Sequence, residues 1–305
     1  MESLFKSGFR SFLESSYIDF IEYGNTFIFP DFQFSVELIE AGTELHTNYL
    51  ITKEVDFCDK LGNKEDKVYL FEDRWWAARE MVQERILARL ERFRSVFARK
   101  CKVLSGRENP QLAEAVREFL QKNHSYYNAK CRYRYALEFE GEIVAVATFS
   151  EGRPMVRKLS DMLKNVPKEE QMEEDGSLRE DIVIFDSYEW VRYASLPGIR
   201  VVGGMGKLLN AFIEERYTRI QPGTPMEIMT YSDTEWGNGD VYLKLGFRYA
   251  GERPPVEYHI HKQNYTRFQQ RLYEKELHQG ALPREFYTIK NLGSKKFLMQ
   301  IIPSM

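Results

Sequence analysis

The stretch "GIRVVGGMGKLLNAF", residues 198–212, sets three glycines, Gly203, Gly204 and Gly206, at the threshold of an apolar run. A glycine inside a helix costs about 1 kcal/mol relative to alanine. Three of them at one helix start therefore need a reason beyond helix formation. From Met205 the apolar residues fall at 205, 208, 209, 212 and 213, which is one face of a helix. The spacing predicts a helix that begins at the glycines, a strand ending near Ala194, and "SLPGIRVV" as the connection. A helix N-terminus leaves about four backbone N–H groups unpaired and carries about half a positive charge. Glycines there let an anion approach the backbone. On this stretch alone two readings stand side by side: close packing of helix on strand, or a cradle for phosphate.

Two familiar glycine loops are excluded. A Walker loop requires Ser or Thr after its Gly-Lys pair, and Leu208 follows Lys207. A dinucleotide fingerprint requires a glycine at 209, which is Leu. What remains is G-x-G followed by Leu-Leu.

The 305 residues are 43% hydrophobic and 29% charged, enough apolar content for a core in one large or two medium domains. A net charge of −3 excludes a chain that binds nucleic acid by its overall field, though not a local basic patch. Cys58, Cys101 and Cys131 are widely spaced, which reads as free thiols in a reducing compartment. No run approaches the roughly 18 apolar residues of a membrane span. The acidic, amphipathic start "MESLFKSGFRSFLESS" lacks the pattern of a signal peptide, so a cytoplasmic protein is expected.

Residues 1–75 read as short strands: "TFIFP", "FQFSVELI" and "VYLFEDRWW". Met81, Ile86, Leu87, Leu90, Phe93 and Phe97 predict a helix over about 76–97. Its other face is basic, with Arg85, Arg89, Arg92 and Arg94, continuing through Arg99, Lys100 and Lys102. A second unit opens near residue 98 with the strand-like "KCKVLS", then a helix introduced by Asn109 and Pro110. "RYRYALEFEGEIVAVATFS" predicts a hairpin about Glu140-Gly141. Residues 154–181 read as a charged surface loop. The strand "DSYEWVRYAS" leads to the glycine helix. Then come strand "MEIMTYS", short helix "GDVYLKLGF", strands "RYAGE" and "VEYHIHK", a helix over "QNYTRFQQRLYEKELHQ" and a last strand pair in "FYTIKNLGSKKFLMQII".

This order, with the G-x-G helix and "YLKLGF", resembles the GCN5-related N-acetyltransferase (GNAT) superfamily. The resemblance implies an α/β (α+β) fold: a mixed sheet flanked by helices. It implies acetyl-coenzyme A as cofactor, its pyrophosphate on the backbone of Val202, Gly203, Gly204, Met205, Gly206 and Lys207. The pantetheine arm would lie in a wedge between two splayed parallel strands, here about 187–194 and 226–231. The Gln or Arg that usually precedes the family's G-x-G by three residues is Val201 here, and Arg200 is one place out of register.

Acyl transfer to an amine requires a base for the acceptor and an acid for the leaving thiolate. Tyr242 matches the family's tyrosine that can serve as the acid. Glu189 matches a glutamate base of some members, and His124 in "KNHSYYNAK" is a further candidate base. Each has a plain structural alternative: a packed tyrosine, a solvent-facing glutamate, a surface histidine.

Several stretches, among them "FLQKNHSYYNAK", "VRYASLPGIRVVGGMGKLL" and "TYSDTEWGNGDVYLKLGF", are similar to the C-terminal region of Hef-like phage homing endonucleases. In that group a GNAT-like domain follows a nuclease domain related to very-short-patch repair endonucleases. The resemblance implies a nuclease-like remnant at the front, with Asp31, Glu37, Glu40 and His46 where such enzymes gather Mg²⁺ ligands. The expected domains are a remnant with its basic helix (1–97), a GNAT-like domain (98–262) and a C-terminal extension (263–305). The expected function is an acyl-CoA-dependent N-acetyltransferase or acyl-CoA-binding protein with a small-molecule or protein amine as acceptor. The alternative is a DNA-binding or Mg²⁺-dependent nuclease relative that contacts DNA through the basic helix 85–102.

Overall fold

The structure, a computed structural model, describes residues 2–42, 66–158, 182–218 and 225–301. The chain divides into two compact units. One takes residues 1–93, 231–240 and 251–296; the other takes 94–230, 241–250 and 297–305. This division differs from the three consecutive segments expected from the sequence, because the chain leaves and re-enters each unit.

In the first unit, helix α1 (Leu4–Ser15) is capped by Ser3, whose Oγ accepts from the Lys6 N–H at 3.2 Å. It buries Phe5, Phe9, Phe12 and Leu13. Strands β1 (Ile21–Tyr23), β2 (Thr26–Phe29), β3 (Phe34–Ile39) and β4 (Asp66–Phe71) form a sheet in that order, with β3 and β4 parallel. Helices α2 (Glu72–Ala77) and α3 (Arg79–Arg89) follow. Trp75, wholly buried, is the hub that α1 packs against through Phe5, Phe9 and Phe12.

The helix expected over 76–97 ends at Arg89. Glu91 takes a left-handed φ of 57°, which breaks the helix, and the next residues enter the second unit as strand β5 (Arg94–Phe97). The chain continues with β6 (Lys102–Ser105), α4 (Leu112–Asn123), β7 (Tyr133–Phe139) and β8 (Glu142–Phe149). The β7–β8 hairpin turns at Glu140 and Gly141, both at positive φ (53° and 85°), as its sequence demands. Residues 154–158 of the expected charged loop belong instead to strand β9 (Arg153–Lys158), paired antiparallel with β10 (Ile182–Ser195).

Part of the expected connection "SLPGIRVV" is also a strand: β11 (Ile199–Val202) pairs parallel with β5. Helix α5 (Gly204–Tyr217) starts at the glycines as expected. Then come β12 (Met226–Asp233), α6 (Asp240–Lys244) and β13 (Arg248–Arg253). Strands β14 (Glu257–His261) and β15 (Arg267–Phe268), helix α7 (Gln270–His278) and strand β16 (Phe286–Lys290) belong to the first unit, in a small sheet ordered β15-β14-β16. The last helix is shorter than expected because residues 267–268 are strand. The last strand, β17 (Ser294–Ile301), does not pair with β16. It lies between β12 and β13 in the large sheet.

That sheet runs β13-β17-β12-β10-β8-β7-β6 with β9 beside β10, and it is mixed: β10 and β12 are parallel, while β10 and β8 are antiparallel. One face packs on α5, where the Phe212 ring stacks on Phe149 at 3.9 Å between centroids. The other face receives Leu112, Val116, Phe119 and Leu120 of α4 against Ala136, Val146 and Ala194. The second unit is thus a mixed α/β sheet flanked by helices. Among the described residues no helix is long and apolar enough to cross a membrane.

Candidate active site

The parallel pair β10–β12 holds the centre of the second unit. Its register runs from Asp186 opposite Met226 to Glu189 opposite Met229. Beyond Glu189 the two strands no longer pair, and β10 continues to Ser195 on β8 alone, through a register shift between Trp190 and Arg192. An extra residue on one strand of an antiparallel pair bends that strand and raises its twist. The bulge at Val191 falls two residues beyond the last β10–β12 pair.

The backbone oxygens at the parting are engaged. Trp190 O accepts from Thr230 Oγ1 at 3.2 Å, Val191 O from the Arg192 guanidinium at 2.8 Å, and Arg192 O from the Trp190 indole N–H at 3.1 Å. Trp190 is the last residue of β10 before the bulge. It is buried in the core with its ring against Phe149, Tyr193, Tyr242 and Phe247.

Beyond the parting, Gly203 is the N-cap of α5 at φ 77°, a left-handed conformation that favours glycine. It supplies no capping side chain. The Lys207 N–H is the first to close a helical bond, to Gly203 O at 3.0 Å. The N–H groups of Gly204, Met205 and Gly206 precede it in the first turn and have no acceptor among the described residues. Gly204 is a packing glycine as well. A Cβ there would come within 3.0 Å of the Tyr193 hydroxyl and of Val201. At Gly206 a Cβ would meet only the tip of Leu245 at 3.4 Å. Both readings of the glycines therefore have a residue: Gly204 is required by packing, while Gly206 leaves backbone open.

The Lys207 side chain is committed inward. Its ammonium donates to Ala98 O at 3.0 Å and Cys101 O at 2.6 Å. It ties the helix start to the segment after β5 and is not free for an anion. Val202 lies on β11 opposite Phe97, so it belongs to the strand and not to the helix turn.

Tyr242 sits on α6 with its ring among Trp190, Phe247 and Phe297. Its hydroxyl is hydrogen-bonded to Thr230, the first residue of β12 beyond the register with β10. Burial raises the phenol's pKa against the weaker lowering effect of that bond. The same desolvation pushes Tyr193, beside Gly204, to about 12.

Glu189 is half-buried, its backbone clasped to Ser150 by bonds of 2.8 and 2.9 Å. Its carboxylate interacts with Arg192, whose guanidinium reaches Tyr127 O at 3.3 Å and faces the Tyr126 ring. His124 closes α4 in the same turn, its Nδ1 accepting from the Tyr126 N–H at 3.1 Å. A neutral ring so bonded carries its proton on Nε2, which leaves no vacant lone pair for a base. The structure thus gathers Glu189, Arg192 and the 124–127 turn at one place. Sequence reasoning missed Arg192 and Thr230, the two residues that link the candidates to the strand parting. A residue beside a bulge has no local sequence signal.

The acidic residues of the nuclease-like reading do not converge. Asp31 is exposed in a short 3₁₀ turn, Glu37 pairs with Lys67 at 2.7 Å, and Glu40 accepts from Ser3 Oγ at 2.7 Å. His46 lies outside the described residues. Among the described residues no three His, Cys, Asp or Glu side chains are grouped to hold a metal ion. The basic stretch 85–102 is not one helix face either. Arg85 stacks on Trp236 at 3.6 Å, and Arg89 binds Asp66 and Trp236 O.

No family model matches the chain, and no curated protein matches it. Among solved structures it is similar to an acetyltransferase of Bacillus subtilis in complex with CoA, at 13% identity and TM-score 0.31 over 67% of this chain and 100% of that one. It is also similar to an agmatine N-acetyltransferase in its apo form and to the polyamine N-acetyltransferase of Drosophila melanogaster. Each of these is at 10% identity and TM-score 0.29, over 66% of this chain and 100% of the other. Superpositions of this extent do not assign a residue.

Proposed function

We propose that the second unit is a GNAT-like acyl-CoA-binding domain that transfers an acyl group to an amine. One observation carries this reading. A parallel strand pair parts just beyond Glu189, and the chain then turns into a helix whose first three N–H groups are open. Those are the two features the family resemblance requires of a coenzyme A site.

The residues fit the group at its anionic end. Gly204, Met205 and Gly206 offer three backbone donors at the positive end of a 14-residue helix, uncovered by any capping side chain. At the strand end the carbonyls of 190–192 already have donors within the unit, so most of the affinity rests on the glycine turn. Bound acetyl-coenzyme A would supply the acyl thioester. Tyr242 holds a proton on its hydroxyl beside Thr230, and its raised pKa keeps that proton at neutral pH for a leaving thiolate. In this reading Glu189, the last β10 residue paired with β12, accepts the acceptor's proton. Thr230 donates to Trp190 O and is hydrogen-bonded to the Tyr242 hydroxyl, which fixes the phenol's direction.

The test is calorimetric titration with acetyl-CoA of the wild type and Gly206→Glu. Gly206 is the better position for this test than Gly204, where any side chain collides with Tyr193 and Val201. Micromolar binding that the added carboxylate abolishes in a folded variant supports the reading. A folded wild type that binds no acyl-CoA overturns it.

A further inference from the structure

At the far end of α5 from its glycines the second unit holds a cavity of about 310 Å³, near the lower limit for small-molecule sites. Ten residues separate Gly206 from Arg216, about 15 Å of helix, so this is a different place from the glycine turn. Four arginines line it, Arg107, Arg132, Arg134 and Arg216, against a single carboxylate, Glu215.

Both oxygens of that carboxylate are already engaged. Glu215 Oε2 accepts from Ser105 Oγ and from the Tyr135 hydroxyl, both at 2.8 Å, and Oε1 accepts from Arg216 at 2.6 Å. Burial opposes its ionisation, but these bonds and the Arg216 charge hold its pKa below the ordinary carboxylate value. Glu215 is thus an anion whose charge one arginine offsets, leaving three positive charges on the walls.

The donors are not used up. Arg216 is 6% exposed, its guanidinium stacked on the Tyr133 ring at 3.9 Å, and its Nε–H is buried without a hydrogen-bond partner. An unmade bond of this kind in a native interior calls for a ligand or water. The guanidinium groups of Arg107 and Arg132 have no partner among the described residues, and that of Arg134 donates only to Cys131 O at 3.2 Å. The C-terminal end of α5 carries about half a negative charge, outweighed by a net three positive ones. The first turn of α4, at Ala113 on the wall, adds a positive helix end.

We propose that this cavity is a binding site for a small organic phosphate, its dianion held by Arg132, Arg134 and Arg216 and its body against Tyr133. Planar guanidinium forks match phosphate oxygens in pairs, and a cavity of this size admits a sugar phosphate but not a coenzyme.

The experiment titrates the full chain with ribose 5-phosphate, inorganic phosphate and succinate at low salt. It uses calorimetry on wild type, Gly206→Glu, Arg132→Glu and Arg134→Gln. Arg132 is exposed and unpaired, so its variant folds as the wild type does. The expected result is saturable sugar-phosphate binding, unchanged in Gly206→Glu and weakened at least tenfold in Arg132→Glu and Arg134→Gln, with inorganic phosphate weaker. Equal binding in all four proteins overturns the proposal, as does loss in Gly206→Glu, which would place the anion at the glycine turn. Preference for succinate overturns the phosphate assignment. No saturable binding to the wild type overturns the site.

Discussion

The Tyr242 hydroxyl is tied to Thr230, and Thr230 in turn donates to the carbonyl of Trp190, at the point where β10 and β12 part. Tyr242→Phe keeps the ring among Trp190, Phe247 and Phe297 and removes only the outer link. It should cost about 1 kcal/mol of stability. In an acyl-transfer assay it should lower kcat on the order of 100-fold with little change in KM. Because burial raises this phenol's pKa above its ordinary 10, the wild type should show no alkaline loss of activity from Tyr242 up to pH 10. A pH–rate profile in which Tyr242→Phe leaves kcat unchanged removes the tyrosine from the chemistry.

The two glycines of G-x-G should answer differently to alanine. At Gly204 a methyl group meets Tyr193 and Val201 at 3.0 Å, and overpacking of this kind costs about 1–3 kcal/mol. At Gly206 the nearest atom is a movable leucine tip at 3.4 Å, and alanine favours the helix by about 1 kcal/mol. Urea unfolding of the two variants should move the midpoint down for Gly204→Ala and leave it level or higher for Gly206→Ala.

Lys207→Met should behave as a stability variant. It strips a donor from two carbonyls, those of the buried residues Ala98 and Cys101 just after β5. The loss should be about 1–3 kcal/mol by chemical denaturation. The salt dependence of acyl-CoA binding should not change, since this ammonium never faces the ligand. A flattened salt dependence in Lys207→Met would show the lysine turning outward to the phosphates.

In the first unit, Glu22 receives hydrogen bonds from Arg10 and Lys6, with Arg10 the main cause of a pKa lowered to about 2. A carboxyl depressed on folding stabilises above its unfolded pKa, and that contribution fades as pH falls from about 4.5 towards 2. The pair is close to solvent, so screening leaves about 1 kcal/mol. Arg10→Met should remove this part of the acid slope between those pH values and leave the slope above pH 5 as it was.

How far these features could be read beforehand follows the distance over which they are made. The hairpin at Glu140-Gly141, the start of α5 and the alternation of β7 and β8 are local, and the sequence displays them. Phe93 and Phe97 continue the helical spacing of Ile86 and Leu90, so nothing local announces that Glu91 turns left-handed or that 94–97 pairs with 199–202. The charged run after Gly152 hides β9, whose pairing with β10 is likewise non-local. At the candidate site the glycines, Tyr242 and Glu189 were legible by their motif. The link through Thr230, the bulge at Val191 and the inward commitment of Lys207 depend on partners 40 and more than 100 residues away.

The position of β17 has a consequence for how the protein is made. The strand that fills the gap between β12 and β13 is translated after both of them. While residues 294–301 are still being synthesised, β12 and β13 each present an unpaired edge, and exposed edges recruit other chains. A ribosome paused before that point holds a sheet open in its middle. A premature stop there should therefore yield an aggregating product and not a slightly weaker version of the same protein.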